Sequence, residues 1–81
     1  KEAIFNFKQL TKLNSTSTAA YFQLGAIYAD LRKFNKSIYY YNLSLKHNSF
    51  NTDAYINRGL SYSAINKLDE ALSDYNNAIK K

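Results

Sequence analysis

Cysteine is missing from this 81-residue chain. That excludes a disulfide staple and a thiolate metal site. Small secreted domains more often carry disulfides, so an intracellular setting is the expectation, although this absence does not fix the compartment. Histidine occurs once, at His47. With no second histidine and no cysteine, neither a metal site nor a catalytic dyad can be assembled around it. Its place near an expected helix C-terminus suits a partial positive charge. There is no run of 18 apolar residues and no signal-peptide pattern, so nothing here is expected to span a membrane. Glycine occurs only twice, and two isolated glycines build no phosphate loop. The acidic residues Asp69, Glu70 and Asp74 read as a helix N-terminus and a solvated face rather than as acid–base machinery. No enzymatic constellation remains, and no cofactor or metal is expected.

What the chain does have is positive charge and aromatic side chains. Eleven Lys and Arg against six Asp and Glu leave a net charge of +5, and eight tyrosines accompany five phenylalanines. The cations are scattered, densest at Arg32, Lys33 and Lys36, where a turn is expected. Scattered charge of this kind reads first as a solubilising surface. The alternative is a basic groove for acidic peptides or nucleic acid. The length suggests one domain, close to the size at which a single core supplies little net stability.

The chain also repeats itself. Gly25 and Gly59 stand 34 residues apart, and the same offset lays Tyr21 on Tyr55, Tyr28 on Tyr62, Phe34 on Leu68, Ile38 on Leu72 and Tyr41 on Tyr75. Carried backwards it lays Ala3 on Ser37, Ile4 on Ile38, Phe7 on Tyr41 and Asn14 on Asn48. A fixed period of this size signals stacked helical units, which hold other molecules more often than they transform them. The phase divides the chain into a leading helix from a preceding repeat (1–17), one complete repeat (18–51) and one nearly complete repeat (52–81). It predicts a piece of a longer array.

Apolar residues at steps of three and four predict an all-α chain of five helices. The first is Glu2 to Leu13, with Ala3, Ile4, Phe7, Leu10 and Leu13 on one stripe. The second runs from Thr18 to Leu31, capped by Ser17 or Thr18, and the third from about Asn35 to His47. The fourth runs from Thr52 to Ile65, capped by Thr52 or Asn51, and the fifth from Asp69 to Lys80. Asp69 and Glu70 suit the positive start of the last helix, and Lys80 and Lys81 its negative end. Asn14 is a candidate for the left-handed conformation that ends helices. Both glycines fall in mid-helix, where glycine costs roughly 1 kcal/mol relative to alanine. Close helix approach is the expected compensation, with Tyr41 over Gly25 and Tyr75 over Gly59. The matched tyrosines are expected in the core. Tyr40 is expected to face a neighbouring helix and Tyr39 the outside.

The order aromatic, Leu-Gly, Tyr, small residue, aromatic stands here as Tyr21, Leu24, Gly25, Tyr28, Ser37 and Tyr41. It recurs as Tyr55, Arg58, Gly59, Tyr62, Ala71 and Tyr75, and the opening segment supplies its tail with Ala3 and Phe7. This pattern resembles the tetratricopeptide repeat over essentially the whole chain. Three departures stand out. Tyrosine replaces the usual tryptophan, Ser15 and Ser49 stand where the family often has proline, and Arg58 takes the place of Leu24. The last two predict looser turns and less tight packing in the second repeat.

The resemblance implies a right-handed α-solenoid of antiparallel helix pairs. The first helix of each pair lines a concave groove that holds an extended peptide or a partner helix. On that model the groove is lined by Ala19, Phe22, Gln23 and Ala26 from one repeat, and by Asp53, Ile56, Asn57 and Leu60 from the next. Phe22, Ile56 and Leu60 have no core role on that model and would drive partner burial. Gln23 and Asn57 would fix the partner's register by hydrogen bonds. Asn57-Arg58 resembles the branch of the family that clamps a terminal carboxylate. The matching positions Phe22 and Ala26 lack the required donors, however, and Phe22 cannot hydrogen-bond a carboxylate.

The expected function is thus a non-enzymatic protein–protein interaction scaffold. One alternative is an RNA-binding helical-repeat module, supported by the basic charge alone. Another is a structural spacer or self-association segment. The last helix leaves Leu72, Tyr75 and Ile79 without a covering helix, and uncapped arrays associate end to end.

Overall fold

Two kinds of junction, each used twice at the 34-residue offset, cut the chain into helices. In the first kind an asparagine side chain folds back on the backbone. The Asn14 Oδ1 accepts from the Thr16 N–H at 3.1 Å, and the Asn48 Oδ1 accepts from the Phe50 N–H at 3.2 Å. Such a turn competes with helix continuation and stops it. Three residues later an N-cap starts the next helix: Ser17 Oγ accepts from the Ala20 N–H, and Asn51 Oδ1 from the Ala54 N–H. Asn14 does not take the expected left-handed conformation. Among the described residues, the two non-glycine ones with positive φ are Arg32 (62°) and Asn66 (64°), and they belong to the second kind of junction.

At that junction the helix unwinds through a double hydrogen bond. The Lys33 N–H donates to the Tyr28 carbonyl and the Arg32 N–H to Ala29, and Lys67 and Asn66 repeat this on Tyr62 and Ser63. This is the geometry in which one left-handed residue satisfies the last carbonyls of a helix. Glycine would fill that position without strain; here arginine and asparagine do.

The computed structural model describes residues 2–80. It contains α1 (Glu2–Leu13), α2 (Thr18–Asp30), α3 (Phe34–His47), α4 (Thr52–Ala64) and α5 (Leu68–Lys80). Leu31 lies just beyond α2 as its C-cap, and Lys36 lies in the first turn of α3 rather than in the connecting turn. Lys81 lies outside the described residues.

Helices pack in the order of the chain, chiefly α2 on α3 and α4 on α5, with α3 bridging to α4 and α1 to α2. Thr18 meets Ser44, Gly25 meets Tyr41 and Tyr28 meets Tyr40, so α2 and α3 are antiparallel. Ser37 meets Ser61 and Asn42 meets Arg58, so α3 and α4 are antiparallel as well. It follows that α2 and α4 run in the same sense, and they touch over a small contact. The Cα extents of 33 × 25 × 13 Å are those of a slab, because successive helices bury their neighbours instead of closing on a common centre.

Burial is greatest on α2 and α3; Ala20, Tyr21, Leu24, Gly25 and Tyr28 are buried on α2. Ser37, Ile38, Tyr41, Ser44 and Leu45 are buried on α3. Burying a side chain the size of Tyr41 stabilises by roughly 1.5–3 kcal/mol. Two buried hydroxyls, Ser37 and Ser61, bond each other at 3.0 Å across α3 and α4, so neither is left unsatisfied. The glycines do what their mid-helix cost suggested. A Cβ on Gly25 would sit 2.7 Å from the Tyr41 ring, and one on Gly59 would sit 2.7 Å from the Tyr75 ring. The outer helices are less covered: α1 has no buried residue, and Leu68, Leu72 and Ile79 of α5 are exposed.

Candidate functional site

The face shared by α2 and α4 is built from one helical stripe on each. Ala19, Phe22, Gln23 and Ala26 follow steps of three and four along α2, and Asp53, Ile56, Asn57 and Leu60 do the same along α4. Ala19, Gln23, Asp53, Ile56 and Leu60 are exposed; Phe22, Ala26 and Asn57 are half-buried. Apolar exposure is greatest at Leu60 (56%), with Ile56 at 38%.

Between the two helices lies Tyr41 of α3. Its ring packs against Phe22 with centroids 5.7 Å apart and planes tilted by 58°. Phe22 was expected to have no core role; instead it covers the Tyr41 ring, because α3 stands directly behind the gap between α2 and α4. Burial pushes the Tyr41 hydroxyl up to about 12. Hydrogen bonding with Ser37 and Asn57 acts the other way, and the Asp30 carboxylate adds to the rise. Tyr41 is therefore a floor on which Phe22, Asn57 and Asp30 converge. Asp30 was absent from the expected groove set, although it continues the α2 stripe four residues beyond Ala26.

The second repeat is less closely packed than the first, as expected: Leu24 is fully buried, whereas the Arg58 side chain is 19% exposed and Tyr55, Tyr62 and Tyr75 are half-buried. Arg58 overturns the expectation that Asp74 lies on a solvated face. Asp74 is buried at 2% exposure. Arg58 holds it through two parallel bonds, Nε to Oδ2 at 2.8 Å and Nη2 to Oδ1 at 2.5 Å. Its third nitrogen, Nη1, donates to Asn42 Oδ1 of α3 at 2.8 Å. The guanidinium also lies over the Tyr55 and Tyr62 rings, 5.7 and 5.8 Å from their centroids. Asp74 raises the Arg58 pKa further above its already high value. An arginine so engaged is not available to clamp a partner's carboxylate. The signal was present in the sequence: Leu24 and Tyr40 of one repeat become Arg58 and Asp74 in the other, an exchange of two positions together.

The remaining side chains of interest lie elsewhere. Tyr40 stacks on Tyr28 and Tyr21, with centroids 5.6 and 6.4 Å apart, while Tyr39 is 58% exposed, as their spacing suggested. His47 stacks on Tyr21 at 6.0 Å. Arg32, Lys33 and Lys36 line a shallow depression of about 310 Å³ with Phe34, Asn35 and Ile65. It opens at the turn edge of the slab, between the turn that follows α2 and the C-cap of α4 at Ile65. At the C-terminal end Leu72 and Ile79 are exposed and Tyr75 is half-buried. No helix of the described residues is long and apolar enough to cross a membrane.

Tetratricopeptide repeat family models match residues 52–81 and 18–49. Among solved structures, the chain is similar to a crystal structure of MamA, with a TM-score of 0.93 and 26% identity over 95% of this chain and 45% of that one. A second crystal structure of the MamA protein gives a TM-score of 0.91 and 26% identity over 95% of this chain and 42% of that one. The chain thus spans less than half the length of the solved chains it matches. No curated protein matches it.

Proposed function

The chain belongs to the tetratricopeptide repeat family, whose members are generally non-catalytic scaffolds for protein partners, and from that premise we propose that its α2/α4 face holds a peptide or helix of a partner protein. The observation that carries this reading is the exposure of Ile56 and Leu60 beside Phe22, on a face whose floor is otherwise packed. Covering these side chains removes apolar surface from water at roughly 25 cal/mol per Å². Gln23 and Asn57 supply amides on the two sides of the gap for a partner's backbone.

The test is a pull-down with the chain against an Ile56→Lys/Leu60→Lys variant. Phe22 is left intact because it covers Tyr41. A folded variant that loses the captured partner bears the reading out. An unchanged set of partners would sink it and move attention to the open face of α5. The cations lie off the α2/α4 face, so an RNA-binding activity would survive these two substitutions and fall steeply with salt.

A further inference from the structure

The junctions that follow α2 and α4 share a backbone and differ in charge. Arg32 and Asn66 have φ of 62° and 64°, and the Lys33 and Lys67 N–H groups each close on a tyrosine carbonyl at 2.8 Å. Arg32, Lys33 and Lys36 against Asp30 leave +2 at the first junction; Lys67 against Asp69 and Glu70 leaves −1 at the second. The turn itself therefore does not call for cations. Nor does the helix that follows, because the start of a helix favours acids. Helix α5 begins with Asp69 and Glu70, whereas α3 has no acid in its first turn and no side-chain bond from its N-cap residue Lys33. The cations of the first junction thus stand where they weaken the fold. No carboxylate pairs with them: among the described residues the only ion pair joins Arg58 and Asp74. The Lys36 ammonium lies 5.4 Å from the Tyr28 ring centroid, a contact that holds the charge without neutralising it.

We infer that the depression beside these cations takes the carboxylates of an acidic partner segment, an inference that rests on the groove reading above. The depression, of about 310 Å³, lies between the C-terminal ends of α2 and α4, the two helices that build the candidate face. A segment lying along the face therefore runs into it. Arg32, Lys33 and Lys36 line it and no acid does. Asn35 adds an amide, and the half-buried Phe34 and Ile65 supply an apolar floor. Arginine and lysine meet carboxylates through charge-assisted hydrogen bonds. The face itself is unsuited to a phosphate backbone. Asp30 and Asp53 are exposed on it, and the one basic residue of α2 and α4, Arg58, is turned onto Asp74. A peptide can instead be apolar along the face and acidic at one end only. Pairing at the depression then fixes its direction, with the acidic end beyond Leu60 and Asp30. Exposed pairs are individually weak, and two or three together account for about a tenfold preference.

Calorimetric titration with synthetic peptides at 0.1 M salt tests this. They share one apolar five-residue core and carry two glutamates or two serines, at the N-terminal or the C-terminal end. In the better of the two directions the glutamate peptide is expected to bind about tenfold more tightly than its serine counterpart. The variant Arg32→Asn/Lys36→Glu installs the residues that stand at 66 and 70 on the same backbone, and circular dichroism checks its fold. In it the gain is expected to vanish, with the serine peptides binding as before. Lys46→Glu removes charge at the far end of α3, about 15 Å away at ~1.5 Å per residue, beyond the screening length of about 10 Å. It is expected to keep the gain. Equal binding of the glutamate and serine peptides to the unaltered chain would overturn the acidic selection and leave the groove reading standing. A gain that survives Arg32→Asn/Lys36→Glu, or that Lys46→Glu removes as completely, would trace it to net charge and overturn the depression as its seat. Tighter binding of an oligouridylate than of the glutamate peptides would overturn the choice of a peptide. Binding of no peptide would remove the groove reading and this inference together.

Discussion

The two repeats solve one packing problem with opposite chemistry. In the first, Tyr40 of α3 stacks against Tyr21 and Tyr28 of α2, above Leu24, which is fully buried. In the second, the equivalent pair of tyrosines, Tyr55 and Tyr62, receives the Arg58 guanidinium, and Asp74 replaces the third ring. A slot between two aromatic rings accepts either another ring or a planar cation, since both complement the ring faces. The cation brings an obligation that the ring does not. Its charge must be matched, and the buried carboxylate matches it with two bonds. The ionic version also reaches the neighbouring repeat, through Asn42, where the aromatic version stays largely within its own pair. In the first repeat Lys8 of α1 lies 5.8 Å from the Tyr28 ring, and hydrogen bonding to that tyrosine raises its pKa.

If the two solutions are equivalent, exchanging them together should be tolerated where breaking one is not. Asp74→Ala leaves Arg58 without its carboxylate and is expected to destabilise the chain by about 3 kcal/mol in urea unfolding. The double change Arg58→Leu/Asp74→Tyr imports the first repeat's residues and should return the chain to within about 1 kcal/mol of the original. A double variant as unstable as Asp74→Ala would mean that the repeats are not interchangeable in this respect.

The glycines sharpen the comparison. At Gly25 an added Cβ meets the Tyr41 ring at Cδ1, Cε1 and Cγ, the last 3.0 Å away. Cγ is anchored next to the backbone and cannot swing aside. At Gly59 it meets Cε1, Cδ1 and Cζ of Tyr75, the far side of a half-buried ring. Overpacking costs roughly 1–3 kcal/mol and alanine regains about 1 kcal/mol of helix propensity. Thermal unfolding is therefore expected to show a clear loss, up to about 2 kcal/mol, for Gly25→Ala and a near-neutral result for Gly59→Ala. Equal losses would show that Tyr75 is as firmly held as Tyr41.

A further difference appears only at high pH. Tyr41 holds its proton to about 12 in the folded chain against an ordinary 10.0. The folded state therefore binds more protons than the unfolded state across that span. The stabilisation is complete below pH 10 and declines as the pH rises towards 12. Tyr41→Phe should flatten this part of the stability–pH curve; an unchanged slope would place the alkaline loss elsewhere. The smallest expected effect concerns the left-handed turn residues. Arg32→Gly should stabilise by about 1 kcal/mol and Asn66→Gly by a few tenths, because asparagine tolerates that conformation better than arginine. Identical gains in denaturant unfolding would contradict this ranking.

Much of the fold was legible because its signals are local or periodic. The 34-residue offset, the five helices, the tyrosine opposite each glycine and the N-caps to within one residue (Ser17 or Thr18, Asn51 or Thr52) all follow from spacing and side-chain size; the structure selects Ser17 and Asn51. The misreadings concern residues whose role depends on a partner from another helix. Asp74 looks solvated along its own helix, and only Arg58 across the pair makes it buried. Phe22 looks spare on α2 until α3 brings Tyr41 behind it. Asn14 looked like the left-handed residue, but its side chain stops the helix by capturing the Thr16 N–H instead. Arg32 carries no left-handed signal of its own; it adopts that conformation because the short link to α3 requires it.

The sequence alone thus determined the repeat, the helices and the family, since periodicity and capping act over a few residues and every repeat states them again. The tertiary structure alone decided which charges are buried and which ring floors the α2/α4 face. Burial and charge compensation depend on contacts across helices, and those contacts exist only once the neighbouring helices have packed.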